Sequence, residues 1–555
     1  MTAPPVNVAA HLSLMAAREP DRPAVILPRF AADGSVRTVQ MTFRELDEDS
    51  GHIAQGLRSL GIPRGVYTAL MVPPSLDFFS LTFALFKANI VPVLIDPGMG
   101  VRNLGKCLGE ARPAAFIGVP KAHVARRLLR WAKKSILFTV TTGSRCFGGR
   151  HSLAKLRTVG KKLGPLPAFD SDAGDAAAVL FTSGSTGVAK GVFYRHGNFA
   201  AQVESLKALY GIEPGEIDLC TFPLFALFAP ALGMTAIIPE MDPRKPAEVD
   251  ARKIIAAVHH FHVTNMFGSP ALINRVGRYA AEHDVKLPTV RRVISAGAPV
   301  PASVIEQFTK TLNPGVQVFT PYGATEALPV ANIGSDMILN ETRAKTDIGK
   351  GVCVGFPAPG MQVRIIRICD GIMPSLRDRD CEPVGEIGEI TVSGPVVTKR
   401  YVGRQEATRL AKMKDTAGTL WHRMGDLGYL DEVGRLWFCG RKSQRVITYA
   451  QTLYTIPVEA VFNTHPDVFR TALVGRELLE IILPYICVEL EPTVSPSEWP
   501  RIEQELRLLA MRFEHTKDIS SFLLHPKFPV DIRHNAKIFR EKLAEWVDDQ
   551  MTWRE

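Results

Sequence analysis

Between residue 20 and about residue 440 the chain alternates short apolar, β-branched runs with longer segments whose apolar positions recur at helical spacing. The runs TALMVP, AAFIGV, AAAVLFT, DLCTFPL, RRVISAG and VQVFTPYG predict strands, and IIAAVHHFH and SVIEQFTK predict helices, the pattern of an α/β protein in layers. From residue 385 the pattern shortens to GEIGEITVSG and GDLGYLDEVGRLWFCG, which predicts a small β-rich section with Gly and Asp turns. A boundary is expected close to Arg441. Beyond it, ALVG and YICVEL read as strands and EQELRLLAMRF and FREKLAEWV as helices, enough for one small α+β domain. The expected organisation is a large α/β N-terminal domain of layered subdomains, residues 1–441, and a small α+β C-terminal domain, residues 442–555. The N-terminal stretch VNVAAHLSLMAAREP predicts an amphipathic helix, since it lacks the basic start of a secretory leader.

Composition narrows the class. With 46% hydrophobic and 22% charged residues in 555, the chain is globular, not low-complexity or coiled-coil. The apolar run Leu224 to Ala236 is interrupted by Pro230 and Gly233 and falls short of the roughly 18 residues that span a bilayer, so no transmembrane segment is expected. The eight cysteines are scattered without a Cys-x-x-Cys pair, which reads as reduced thiols in a cytoplasmic protein. The net charge of +10 has a local origin: residues 121–165 hold twelve Lys or Arg and no Asp or Glu, leaving the remainder at −2. Without interleaved aromatics or a nucleic-acid motif, this stripe is read as a solvated face or as a peripheral contact with anionic lipid or a partner, and no nucleic acid is expected. His259, His260 and His262 cluster in sequence, but neighbours on a helix point in different directions and no Cys or carboxylate is close, so no zinc site is expected.

The strongest chemical signal is Thr182-Ser183-Gly184-Ser185-Thr186-Gly187, followed by Lys190 and Gly191, directly after the buried-strand run AAAVLF. Glycines let a loop turn its N–H groups toward an anion, hydroxyls add donors and Lys190 adds charge, so this loop is expected to wrap phosphate. It lacks the order of a Walker A loop.

At this loop the chain resembles the adenylate-forming superfamily of acyl-CoA synthetases, luciferases and peptide-synthetase adenylation domains. Four further motifs follow in the superfamily's order: Ser295-Ala296-Gly297-Ala298-Pro299, Tyr322-Gly323-Ala324-Thr325-Glu326, Gly425-Asp426 with Tyr429, and Gly440-Arg441, with Lys537 near the C-terminus. The resemblance implies ATP and Mg²⁺. It sets Gly297, Ala298, Pro299 and Tyr322 with Gly323 against adenine, Thr325 on the α-phosphate, Glu326 on Mg²⁺, Asp426 and Arg441 at the ribose, and Lys537 between substrate carboxylate and α-phosphate. The acyl pocket is expected around Phe225, Ala226, Phe228, Gly268 and Ser269, and the C-terminal domain is expected to move as a lid about Ser443.

Three departures from the superfamily pattern stand out. Ser443 occupies the hinge position where Asp or Lys is common. The segment VITYAQTLYTIP carries no Gly where CoA-using members have a Gly-containing hairpin. The sequence from Pro529 to Lys537 replaces the usual Pro-x-Thr-x-x-Gly-Lys. With TFPLFALFAPALGM, YGATEALPV and RHNAKIFREKLAEW, the chain looks most similar to the β-lactone synthetases of bacterial long-chain olefin biosynthesis. That resemblance implies a long-chain 2-alkyl-3-hydroxy acid whose own 3-hydroxyl attacks the adenylated carbonyl, with His534 as a base to weigh, and a complex with other enzymes of the same pathway. A long-chain acyl-CoA synthetase and a silent scaffold remain the alternatives.

Overall fold

The structure, a computed structural model, describes residues 6–552 apart from 32, 34, 144–148, 183–188, 223–226 and 532–536. Two seven-stranded sheets form the first part of the chain. In one, the strands run in the order His151–Ser152, Phe138–Thr141, Ala115–Gly118, Tyr67–Met71, Val91–Leu94, Ala176–Phe181 and Gly191–Arg195, parallel except for the last pair. In the other, the order is Gln317–Phe319, Arg292–Ser295, Asn265–Gly268, Ile217–Cys220, Thr235–Ile237, Pro23–Phe30 and Val36–Thr42, again parallel except for the last pair. The strands predicted from TALMVP, AAFIGV, AAAVLFT, DLCTFPL, RRVISAG and VQVFTPYG each fall on one of these, and the helices Ala251–His260 and Ala302–Thr309 match the predicted ones.

The two sheets share a helical layer. Its centre is Leu76–Lys87, whose sequence LDFFSLTFALFK is apolar on every face, the mark of a helix buried all round. Ser75 caps it by accepting from the Phe78 N–H, and Lys87 at its far end is neutralised by Asp47 at 2.8 Å. Phe79, Phe83 and Phe86 pack with Ala24, Val25 and Cys220 from one sheet and Leu70, Leu94 and Ala178 from the other in one core. The N-terminal helix, Val8–Arg18, joins the same layer, capped by Asn7.

A nine-stranded, mainly antiparallel sheet follows, from Tyr322–Ala324 to Leu436–Arg441. It begins well before residue 385, where the sequence suggested a β-rich section. Strands Ala327–Asn332, Val352–Pro357 and Gln362–Ile366 belong to it: Ala327–Asn332 pairs with Val352–Pro357, which in turn pairs with the distant Leu436–Arg441, and Gln362–Ile366 pairs with Gly388–Ser393. After Arg441 come a hairpin (Val446–Ile447 and Thr452–Leu453), a three-stranded sheet (Val468–Leu478, Ile481–Leu490, Ser521–Leu524) and the helices Thr455–Phe462, Trp499–Ala510 and Arg540–Thr552. Their two apolar cores draw only on residues beyond 445. The hairpin closes without glycine, since Thr448 and Gln451 exchange main-chain and hydroxyl hydrogen bonds across the turn.

The basic stretch is divided by the sheet rather than continuous. Helix Pro120–Leu128 and the turns after it pack with Leu104, Phe116 and Trp131 on one face. Helix Leu153–Leu163 lies on the other, so close to helix Phe43–Ser59 that a Cβ at Gly160 would overlap the His52 carbonyl.

Candidate active site

A cavity of about 1670 Å³ opens where the C-terminal ends of both parallel sheets meet the nine-stranded sheet. Leu70, Met71, Leu94 and Ile95 come to it from the first sheet, on either side of the point where the strand order reverses, and Cys220, Phe267 and Ala296 from the second. Ligands of open α/β sheets sit at such ends, because the loops there are free to vary while the strands hold them rigidly.

The phosphate-loop position is closed at its neck by a two-way bond. Thr182 N–H donates to the Lys190 carbonyl at 3.0 Å, and its hydroxyl accepts from the Lys190 N–H at 3.1 Å. Thr182 and Lys190 both line the cavity, while Ser183, Gly184, Ser185, Thr186 and Gly187 lie outside the described residues. The Lys190 ammonium stands 5.1 Å over the Tyr401 ring, and the Tyr401 hydroxyl donates to a Glu326 oxygen at 2.6 Å. The Glu326 carbonyl accepts from both the main chain and the hydroxyl of Thr398, and the Thr325 carbonyl accepts from the Tyr194 hydroxyl at 2.6 Å. Thr325 and Glu326 are therefore fixed from both sides, and both face the cavity.

A second group sits across from them. Asp426, buried in strand Leu420–Leu430, accepts from the Tyr322 hydroxyl at 2.7 Å and pairs with Arg441 at 2.9 Å. Burial pushes the Asp426 carboxyl up, and Arg441 works against that shift. Arg441 approaches off the hydrogen-bonding direction, so among the described residues Asp426 Oδ1 keeps acceptor capacity with no donor filling it. Gly297 adopts φ +105° on the cavity wall, and Gly323 also lines it, where a Cβ would press on the Ala327 carbonyl. Ala298 and Pro299 follow on the same loop but are not among the lining residues. Lys537 lines the cavity from the C-terminal part, held by the Val530–Ile538 bridge beside it and by the Asp531 N–H to Lys537 carbonyl bond of 2.9 Å. Ser443 lines it as well, one residue after Lys442, which is tied to the buried Glu389 at 3.1 Å.

The apolar part is broader than the sequence indicated. Phe228 and Ser269 line the cavity, but Gly268 packs beneath Leu272 and Ile273 instead, and Phe225, Ala226 and His534 lie outside the described residues. Phe78, Phe83, Phe86 and Phe199 contribute a wall that no motif marks. The run of buried phenylalanines in LDFFSLTFALFK was the available signal. Two polar residues were also missed: Tyr401, and Lys412, whose ammonium is buried beside the cavity-lining Leu410 and Ala411 and has no hydrogen-bond partner among the described residues. Burial lowers the Lys412 ammonium to about 7, opposed by the Glu326 charge.

Residues 13–402 match the family described as AMP-binding enzyme. The chain belongs to that family. It is an ATP-dependent, acid-activating ligase of the adenylate-forming kind. It is 49% identical over 550 residues, 98% of each chain, to the olefin beta-lactone synthetase of Xanthomonas campestris pv. campestris. It is equally 49% identical to that of Stenotrophomonas maltophilia, over 99% of each. Among solved structures, the amide bond synthetase McbA of Marinactinospora thermotolerans superposes with a TM-score of 0.78 at 22% identity, covering 98% of this chain and 100% of that one. The o-succinylbenzoate CoA synthetase of Bacillus subtilis in complex with its acyl-adenylate intermediate gives 0.70 at 22%, covering 98% of each. These two likenesses carry the fold, an adenylate-forming α/β architecture with a large N-terminal and a smaller C-terminal domain. Among the described residues no helix is long and apolar enough to cross a membrane.

Proposed function

We propose that this ligase converts a long-chain 2-alkyl-3-hydroxy acid and ATP into a β-lactone, AMP and pyrophosphate. The observation that carries the reading is the 49% identity to two olefin beta-lactone synthetases over nearly the whole chain. The cavity supports it: about 1670 Å³ exceeds the roughly 300–1000 Å³ of an ordinary small-molecule site, and phenylalanines with aliphatic side chains make up much of its wall.

In this reading residues 1–441 hold ATP and the acid, and residues 442–555 form a lid that turns about Ser443. Thr182, Lys190 and Thr325 receive the phosphates, with Ser183 to Gly187 as the rest of their loop. Gly297, Ala298, Pro299, Tyr322 and Gly323 frame the base, and Asp426 with Arg441 takes the ribose. Glu326 holds Mg²⁺, which when bound neutralises phosphate charge. Lys537 offsets the charge gathering between carboxylate and α-phosphate as the carboxylate oxygen bonds to phosphorus and pyrophosphate departs. The 3-hydroxyl oxygen then attacks the acyl carbonyl, the ring C–O bond forms as the C–O bond to AMP breaks, and the hydroxyl proton leaves with the AMP phosphate or to water. A nucleophile held within the same molecule needs only to be folded into place, and the apolar walls favour that fold and exclude water. The setting is cytoplasmic. Other enzymes of olefin biosynthesis are the expected partners, since an apolar lactone is better handed on than released.

The test is product analysis by NMR after incubating the enzyme with the acid, ATP and Mg²⁺, with and without CoA. A β-lactone in the absence of CoA is the expected result. A thioester formed only with CoA would make the chain an acyl-CoA ligase instead.

A further inference from the structure

We propose that the face formed by residues 120–137 docks on the anionic surface of a lipid bilayer. Helix Pro120–Leu128 buries His123 and lays Arg126 over the Phe116 ring, and the chain then turns through left-handed backbone at Arg130 (φ 52°) and Ala132 (φ 45°). The turn is held in place by the Trp131 N–H to Arg126 carbonyl bond and by Ser135, whose hydroxyl donates to the Pro113 carbonyl at 2.9 Å. This fixed segment presents Leu128, Leu129 and Leu137 to solvent at 77%, 48% and 67% exposure. Between and around them Lys121, Arg130, Lys133 and Lys134 are exposed, with no carboxylate anywhere in residues 121–165.

Single exposed leucines are ordinary, but leucines interleaved with unopposed cations have a specific use. The core of a protein–protein interface is depleted of charge, whereas a bilayer interface takes the apolar tips into its acyl boundary and the cations into its headgroups. A second feature points the same way. Ala122 and Trp131 of this segment, with Val119 just before it, line the large cavity, so lipid against the outer face would lie about one helix diameter, roughly 10–12 Å, from the site. The purpose of that proximity, exchange of a long-chain acid and its lactone with the bilayer, rests on the function proposed above; the docking itself does not. The basic helix Leu153–Leu163 is excluded, because it lies on the opposite face of the sheet and its Arg157 is taken by Asp49 and Asp77.

Cosedimentation of the full chain with vesicles tests the proposal. Binding is expected to vesicles of phosphatidylglycerol and phosphatidylcholine but not of phosphatidylcholine alone, and to weaken as salt is raised. Loss of two surface cations in Lys133→Ala/Lys134→Ala should weaken it roughly thirtyfold, and Leu128→Ala/Leu129→Ala should weaken it as well. Unchanged thermal melting and pyrophosphate release with a short, water-soluble hydroxy acid establish that both variants are folded. No binding at low salt, equal binding to uncharged vesicles, or binding undiminished in both variants would overturn the proposal, as would a protein partner that uses this face in an enzyme that ignores vesicles. Vesicle binding without lactone formation would leave the docking standing and sink the assigned reaction instead.

Discussion

Tyr401 donates its hydroxyl to Glu326 at 2.6 Å while the Lys190 ammonium stands over the same tyrosine ring. One aromatic side chain thus links the end of the phosphate loop to the carboxylate assigned to Mg²⁺. Phenylalanine at 401 would keep the ring under Lys190 and free the carboxylate. A hydrogen bond to a charged group contributes about 1.5–3 kcal/mol, so Tyr401→Phe should raise the Mg²⁺ concentration for half-maximal pyrophosphate release roughly tenfold with little loss of ATP binding. A Mg²⁺ titration identical to wild type would remove Glu326 from the metal site.

Asp426 accepts from Tyr322 with one oxygen and retains unfilled acceptor capacity on the other. Asp426→Ala removes the acceptor and leaves the buried Tyr322 hydroxyl and Arg441 without it. ATP affinity measured by calorimetry should fall by about 2 kcal/mol or more, roughly thirtyfold, together with a lower melting temperature. Tyr322→Phe should cost stability but much less affinity. If both variants bind ATP alike, the ribose assignment is wrong.

Lys537 reaches the cavity from a part of the chain with its own cores, so its removal should spare the fold. Electrostatic stabilisation of a developing charge is worth about a hundredfold or more in rate. Lys537→Ala should therefore reduce pyrophosphate release by at least that factor while nucleotide affinity and melting temperature stay close to wild type. Unimpaired release would take Lys537 out of the reaction.

The layers of the fold were legible because the central parallel strands are short apolar runs bounded by turns, and helices between them keep their period, as Ala251–His260 and Ala302–Thr309 do. The nine-stranded sheet was legible only at its end, since Val352–Pro357 pairs with Leu436–Arg441 across some eighty residues and nothing local announces such a partner. The same division holds at the site. Thr182, Gly323 and Arg441 stand in short motifs whose residue order reflects local backbone demands. Tyr401, Phe83 and Phe199 reach the cavity by tertiary packing alone, and a tyrosine or phenylalanine in isolation reads as core.

Lys412 shows the same limit and supplies a pH signature. Its ammonium is buried without a hydrogen-bond partner among the described residues, and burial lowers it from 10.5 to about 7. Between those values the amine is neutral in the folded protein but protonated in the unfolded chain, so the unfolded state binds the extra proton and raising the pH stabilises the fold. Below pH 7 both states are protonated and the cost of burying the charge is at its greatest. Lys412→Met should therefore be more stable than wild type near pH 6, by on the order of 5 kcal/mol from the size of the shift, and the advantage should shrink steadily toward pH 10.5. Denaturant unfolding of both proteins across pH 6 to 10 measures the gap. A gap that does not change with pH would mean that Lys412 keeps its proton through a partner, and the amine would then belong to a satisfied ion pair instead of standing alone beside Glu326.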